Sequence, residues 1–251
     1  MQEKYLGDSH DYLKYALLRH LARTLRLRIG VNWYFTEPES VDSPGNNDGL
    51  KRHHLTGRGW RGLDEALFPL IAQFVNPSAR QLTVLQGSNV LPSDTLYYGT
   101  PVPLDDRCAW LEESSIALDQ SQLIFLDPDN GFEVKSMSRR TAPKYALLSD
   151  PEVYLRARKT VIGIQFARQC DPVERAYAIQ EKLQHRYGRY ASLPIIRGRV
   201  APNILFFTLA DPDQQVPLQR ALVGFAAHAA RVAAAEACPS RVEILLPPLS
   251  P

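Results

Sequence analysis

From Asp8 to Arg26 the apolar residues Tyr12, Leu13, Leu17, Leu18, Leu21 and Leu25 recur at helical spacing, with Asp8 or Ser9 placed to cap the start. The period then changes. LRIGVNWYF (27–35) is β-branched and aromatic, as in a strand, and PESVDSPGNNDG (38–49) is rich in turn formers. A second helical stripe runs from Leu63 to Val75, QLTVL (81–85) reads as a short strand, and 86–104 reads as irregular. A helix is predicted over Asp105 to Leu118. Four consecutive apolar residues, Leu123 to Leu126, and then TVIGIQFA (160–167) have the composition of strands covered on both faces. Between them a helical segment is expected around 143–157. Helix 172–187, strands 193–199 and 202–209, helix 214–236 and a last strand in RVEIL complete the series.

This order predicts an α/β fold: a Rossmann-like open sheet, mostly parallel with an antiparallel edge, and helices on both faces. Residues 1–251 are read as a single domain with a flexible loop near 38–58. Ligands of such sheets bind beyond the carboxyl ends of the strands, which turns attention to the loops after residues 35, 126 and 167.

Composition adds limits. Hydrophobic residues make up 45% and charged residues 22%, so extended disorder is not expected. No apolar run approaches the roughly 18 residues of a membrane-spanning helix. The first residues lack the layout of a secretory signal, and a cytoplasmic, soluble protein is expected. Cys108, Cys170 and Cys238 stand far apart, which excludes a zinc framework and leaves them as buried small hydrophobes. The net charge of +2 does not by itself indicate nucleic-acid binding, but it is unevenly spread. Residues 101–150 hold nine acids and five bases, whereas 151–200 hold four acids and ten bases. An acidic centre beside a basic segment fits a phosphate-bearing partner, and it also fits solvated helix faces.

The most informative segment is QLIFLDPDNG. Asp127, Asp129 and Asn130 follow the clearest strand directly, so their side chains should enter the crevice; Pro128 fixes φ and Gly131 supplies a conformation other residues resist. A tight turn with acids serving backbone N–H groups explains the same residue types. Among enzyme readings, Asp127-Pro128-Asp129-Asn130 occupies the place of the (D/N)PP(Y/F) motif of amino-methyltransferases. An apolar strand followed by DxD also suggests a phosphatase nucleophile, Asp127, with Asp129 as acid/base, although Asn-Gly in mid-chain departs from that pattern. Finally, Asp127, Asp129, Glu133 and Lys135 imitate a magnesium-dependent nuclease set at a spacing too short for two adjacent strands.

The amino-terminal segment favours the first of these. YLGDSHDYLKYALLRHL (5–21) resembles the start of the ribosomal RNA large-subunit adenine-N6 methyltransferases, which carry a G-N-x-A-D-x-L-K-H type motif. The matching positions are Gly7, Asp8, Asp11, Leu13 and Lys14, with Tyr15 in place of the histidine. PIIRGRVAPNILFFTLADP (194–212) resembles that family's paired final strands, which precede a long last helix. The resemblance implies S-adenosylmethionine as cofactor and a nucleic-acid base amine as acceptor. It implies that Asp127 holds the acceptor nitrogen while Asp129 and Asn130 shape the pocket. Gly7, Asp8, Asp11 and Lys14 would lie on the cofactor side. Two features differ: the loop after the first strand has no glycine until Gly45, and DPPY has become DPDN, with Phe132 as a substitute aromatic.

Other residues carry both readings. Trp33, Tyr34 and Phe35 offer a stacking surface for an adenine ring or a base, or plain core. Asn46, Asn47, Asp48 and Gly49 read as a cation loop or a surface turn. Lys51, Arg52, His53, His54, Arg58 and Arg61 form a basic loop suited to phosphates or simply solvated. Gln165 and Arg168 should stand beside the DPDNG loop as substrate contacts, Arg168 alternatively pairing with Asp127 or Asp129. Arg197 and Arg199 extend the basic surface, and His228 reads as packing. The competing function classes are a metal-dependent nuclease or phosphodiesterase using the acids of 127–133, and a non-catalytic nucleic-acid-binding relative.

Overall fold

In the computed structural model, residues 1–37 and 51–246 are described. The turn-rich segment 38–49, with its candidate cation loop, therefore lies outside the described residues. Helix α1 (Ser9–Leu25) is capped by Asp8, whose side chain accepts from the backbone N–H groups of His10 and Asp11. After β1 (Ile29–Asn32) come α2 (His53–Thr56), α3 (Leu67–Ala72), α4 (Leu82–Gly87), β2 (Leu96–Tyr98), α5 (Arg107–Ala117) and β3 (Leu123–Leu126). Two short strands, β4 (Gly131–Phe132) and β5 (Tyr145–Ala146), precede α6 (Glu152–Arg156) and β6 (Thr160–Ala167). The chain continues through α7 (Pro172–Tyr187), β7 (Ile195–Gly198), β8 (Asn203–Leu209), α8 (Gln215–Ala235) and β9 (Val242–Leu245).

Among the described residues nine strands form one sheet, with main order β2-β1-β3-β6-β8-β7-β9. The first four are mutually parallel, and β8, β7 and β9 continue the sheet by antiparallel pairing. The fold is thus α/β with an open, largely parallel centre and an antiparallel edge.

Alternation along the strands divides the core in two. Leu123, Phe125, Ile162, Ile164, Ile204 and Phe206 face α1 and α8, while Ile124, Leu126, Val161, Leu205 and Phe207 face α5, α6 and α7. Helices cover both faces, which explains the unbroken apolar runs of β3 and β6.

Strand order also sets the crevice. The chain passes from β1 to β2 on one side and then to β3 on the other, so the direction of winding reverses between β1 and β3. The carboxyl end of β3 leads straight into the DPDNG loop. Because Leu126 pairs with Gly163, the longer β6 runs on past β3, and β4 fills the place beside it through Gly131 and Gln165. Gly131 makes this return with φ of 92°.

Several local expectations are corrected. QLTVL is not a strand: Leu82 and Leu85 lie on one buried face of α4, and Glu3 accepts from the Leu82 N–H at its start. Strand β2 lies within the stretch read as irregular, its three residues too few to show a pattern. The helix expected around 143–157 is reduced to α6, preceded by a 3-10 turn and β5. Pro143 and Pro151 break the apolar period there. Within the loop assigned to 38–58, residues 53–56 are helical. Cys108 and Cys170 are exposed and Cys238 is half-buried, because these positions fall on outward helix and turn surfaces. His228 does pack, its Nε2 donating to the Gly62 carbonyl at 2.9 Å.

Candidate functional site

The amino-terminal helix and the DPDNG loop open into one cavity of about 450 Å³. Lys14 joins them. Its Nζ lies 3.0 Å from Asp11 Oδ1 on its own helix and 2.8 Å from Asp127 Oδ1 across the cavity, with all three side chains at most 5% exposed. The other Asp127 oxygen is buried and has no partner among the described residues. Asp127 is placed by its own backbone, whose N–H donates to the Asn32 carbonyl at the end of β1.

Each neighbouring side chain is fixed in turn. Asp8 holds His10 Nδ1 at 3.3 Å, and His10 Nε2 donates to the Pro202 carbonyl at 2.8 Å, tying α1 to the β7–β8 turn. Asp129 accepts from Thr36 Oγ1 at 3.0 Å and lies 3.2 Å from the Met1 amine. Asn130 is held by its N–H on the Lys144 carbonyl, and Gln165 Nε2 reaches the Asn130 carbonyl at 3.4 Å.

Charge is layered. Asp8, Asp11 and Asp127 form a buried acidic wall whose lysine is Lys14, whereas the more accessible lining carries Lys51, Lys144 and Arg168. Burial, with Asp8 and Asp127 nearby, pushes the Asp11 carboxyl up to about 7 against the opposing pull of Lys14. Burial alone would lower the Lys14 ammonium, but Asp127, Asp11 and Asp8 together hold it above its ordinary value. Asp8 is also desolvated, yet its contact with His10 and the charge of Lys14 keep it below the usual carboxylate range. With the Met1 amine also buried here beside Asp129 and the Asp11 carboxyl at about 7, the wall offers carboxylate oxygens that can accept from an amine donor.

Of the residues singled out in the sequence, Asp8, Asp11, Lys14, Asp127, Asp129, Asn130 and Arg168 line this cavity. Gly7 and Gln165 stand one layer behind it. Gly7 donates its N–H to Asp11 Oδ2 at 2.9 Å and turns with φ of 78°, and any β-carbon there would collide with Phe74. Gly7→Ala is therefore expected to cost at least about 2 kcal/mol in chemical denaturation, and to loosen Asp11 as well.

Trp33 and Phe132 lie elsewhere. Trp33 is fully buried against Tyr97 at 5.9 Å, and Phe132 is fully buried edge-on to Phe207 at 6.0 Å, so neither forms a cavity wall. The aromatic side chains that do line the cavity are Tyr5 and Phe166, the latter flanked by His10 at 5.2 Å and by the Arg168 guanidinium at 5.4 Å. Arg168 forms no ion pair with Asp127 or Asp129 among the described residues.

Lys51, from the basic loop, also lines the cavity, whereas sequence reasoning missed Met1, Tyr5, His10, Lys144, Phe166, Gln169 and Pro202 as cavity residues. His10, inside the GDSHD segment, was the most accessible of these to inference. The acids of a nuclease set are not gathered: Glu133 is turned to the Leu148 N–H, Lys135 is exposed, and among the described residues no group of three metal-ligating side chains forms. No helix among the described residues is long and apolar enough to cross a membrane. Compared with protein-family models and with curated proteins, the chain matches none.

Proposed function

We propose that this chain is an S-adenosylmethionine-dependent methyltransferase-like protein that receives a nucleic-acid base amine. The observation that carries the reading is Asp127: a buried carboxylate at the end of β3, one oxygen pinned by Lys14 and the other without a partner among the described residues, beside the reversal point of the sheet. An exocyclic amine has N–H groups to satisfy that second oxygen.

The donor set fits the cofactor by charge and size. Its sulfonium and ammonium groups are cationic and match the carboxylates of Asp8 and Asp11, and a cavity of about 450 Å³ holds a nucleoside. Asp8 and Asp11 would face the cofactor, and Phe166 offers a ring face for stacking. When bound, the cofactor supplies an electrophilic methyl group.

The chain's own part is positioning. Asp127 accepts an amine N–H, which turns the nitrogen lone pair toward the methyl donor and stabilises the positive charge that grows on nitrogen. Lys14 holds the Asp127 carboxylate in place, and Asp129, through Thr36, shapes the adjoining wall. Arg168, Lys51 and Lys144 give the mouth a positive lining suited to phosphates.

Titration calorimetry with S-adenosylmethionine is expected to show saturable binding. No heat at any accessible concentration, together with retained nucleic-acid binding, would instead favour a non-catalytic relative.

A further inference from the structure

A second cavity has a volume of about 320 Å³. Its wall includes His53, Trp60, Arg199 and Arg241. The two cavities draw on the same two strips of chain. Lys51 and Pro202 line the first, while His53, Val200 and Ala201 line the second. Two residues of chain span at most about 7 Å, so one flexible polyanion can enter both.

The second cavity is built to receive an anion. Arg241 is fixed by two hydrogen bonds to the Arg58 carbonyl, at 3.0 and 2.9 Å, and its guanidinium lies 5.2 Å from the Trp60 ring centre. Trp60 is 1% exposed, and its indole N–H has no acceptor among the described residues although the ring lines the cavity. Arg199 is exposed, and no side-chain acceptor for it exists among the described residues. Its backbone N–H donates to the Arg241 carbonyl at 2.8 Å, which keeps the two arginines side by side. Nearby Glu236 accepts from the Gly59 N–H and Glu243 pairs with Arg197, and among the described residues neither carboxylate forms an ion pair with Arg199 or Arg241.

The basic loop noted in the sequence thus divides. Arg52 is spent on the Phe74 carbonyl, Arg61 lies over Phe68 and His54 is buried. His53 remains at the surface and is joined by two arginines from the β7 and β9 ends.

We infer that Arg199, Arg241, His53 and the Trp60 N–H form a phosphodiester subsite, which binds the backbone of a single-stranded nucleic acid next to the nucleotide whose base enters the Asp127 cavity. The assignment rests on the nucleic-acid reading of the first cavity. Two guanidiniums and an indole N–H match phosphate oxygens in charge and donor geometry.

Fluorescence anisotropy with a short labelled single-stranded RNA, followed across salt concentrations, tests it. Arg199→Ala removes an exposed side chain that has no partner among the described residues and should leave the fold intact. It is expected to weaken RNA binding about fivefold near 100 mM salt and to lower the salt slope by about 0.7. Arg199→Lys should restore the slope. Wild-type affinity and slope in Arg199→Ala, or no RNA binding by the wild type at low salt, would overturn the subsite. Inorganic phosphate that binds as tightly as RNA, in an Arg199-dependent manner, would overturn the backbone assignment in favour of a free anion. Loss of S-adenosylmethionine binding with an intact Arg199 effect would count against the methyl-transfer reading alone.

Discussion

Replacing Lys14 by methionine is expected to destabilise the protein by about 3–5 kcal/mol at neutral pH. The methionine fills most of the lysine's volume, so the loss is mainly electrostatic: Asp11 and Asp127 would remain buried without the ammonium 3.0 and 2.8 Å away. The pH dependence has a definite sign. Asp11 already sits at about 7 rather than the ordinary 3.8, so the folded state binds this proton more tightly than the unfolded chain does. Stability from such a group is present at low pH and is lost as pH rises through the folded value. Removing Lys14 raises the folded value further, so the deficit should be greatest above pH 7 and shrink as pH falls toward the unfolded carboxylate range. Urea denaturation of both proteins across this range checks the prediction. An equal deficit at every pH would mean that Lys14 contributes packing and not charge pairing.

Asp127→Asn should behave in the opposite way, with a large effect on function and a small one on stability. Asparagine keeps the shape, and Lys14 keeps Asp11 as its partner, so the unfolding free energy is expected to stay within about 1 kcal/mol of wild type. Removing one carboxylate from a wall that holds Asp8, Asp11 and Asp127 against Lys14 also relieves repulsion. Methyl transfer to single-stranded RNA, followed with labelled S-adenosylmethionine, should nevertheless fall about 10²–10³-fold, because the acceptor amine loses the anion that orients it and compensates its growing charge. Cofactor affinity should change little, since Asp8 and Asp11 remain.

These expectations draw on a site that was partly readable before any coordinates. The apolar runs 123–126 and 160–167 named the strands that carry Asp127, Gln165 and Arg168, and the helical stripe after Asp8 named α1. The rule that ligands gather at strand carboxyl ends pointed to the loops after 126 and 167, and the family resemblance alone put the start of α1 beside them. The lysine bridge across the cavity was not legible, because spacing put Asp11 and Lys14 on one helix face but gave no distance to Asp127, 113 residues away in the chain. Trp33 and Phe132 show the reverse problem. An aromatic side chain at a strand end can stack on a ligand or fill the core, and the sheet's two covered faces decided for the core in both positions. Phe166 escaped notice because it lies within a run that periodicity treats as uniformly buried.

The charge pattern was legible only in outline. Asp150, from the acidic segment, pairs with Arg107 at 2.6 Å and accepts from Tyr34, a structural use that composition does not separate from Asp127. The basic residues sort in a similar way. Arg197 is bound to Asn203 and Glu243, while Arg199, two residues along, has no such partners among the described residues. Which arginine is spent and which is available depends on cross-strand neighbours, and these follow from the β7–β8 and β7–β9 registers.

The most direct measurement of the central claim is mass spectrometry of nucleosides released from single-stranded RNA after incubation with the protein and S-adenosylmethionine. The account predicts an N-methylated base with the wild-type chain and its near absence with Asp127→Asn. Unmodified nucleosides from a wild-type sample that binds both RNA and cofactor would contradict it.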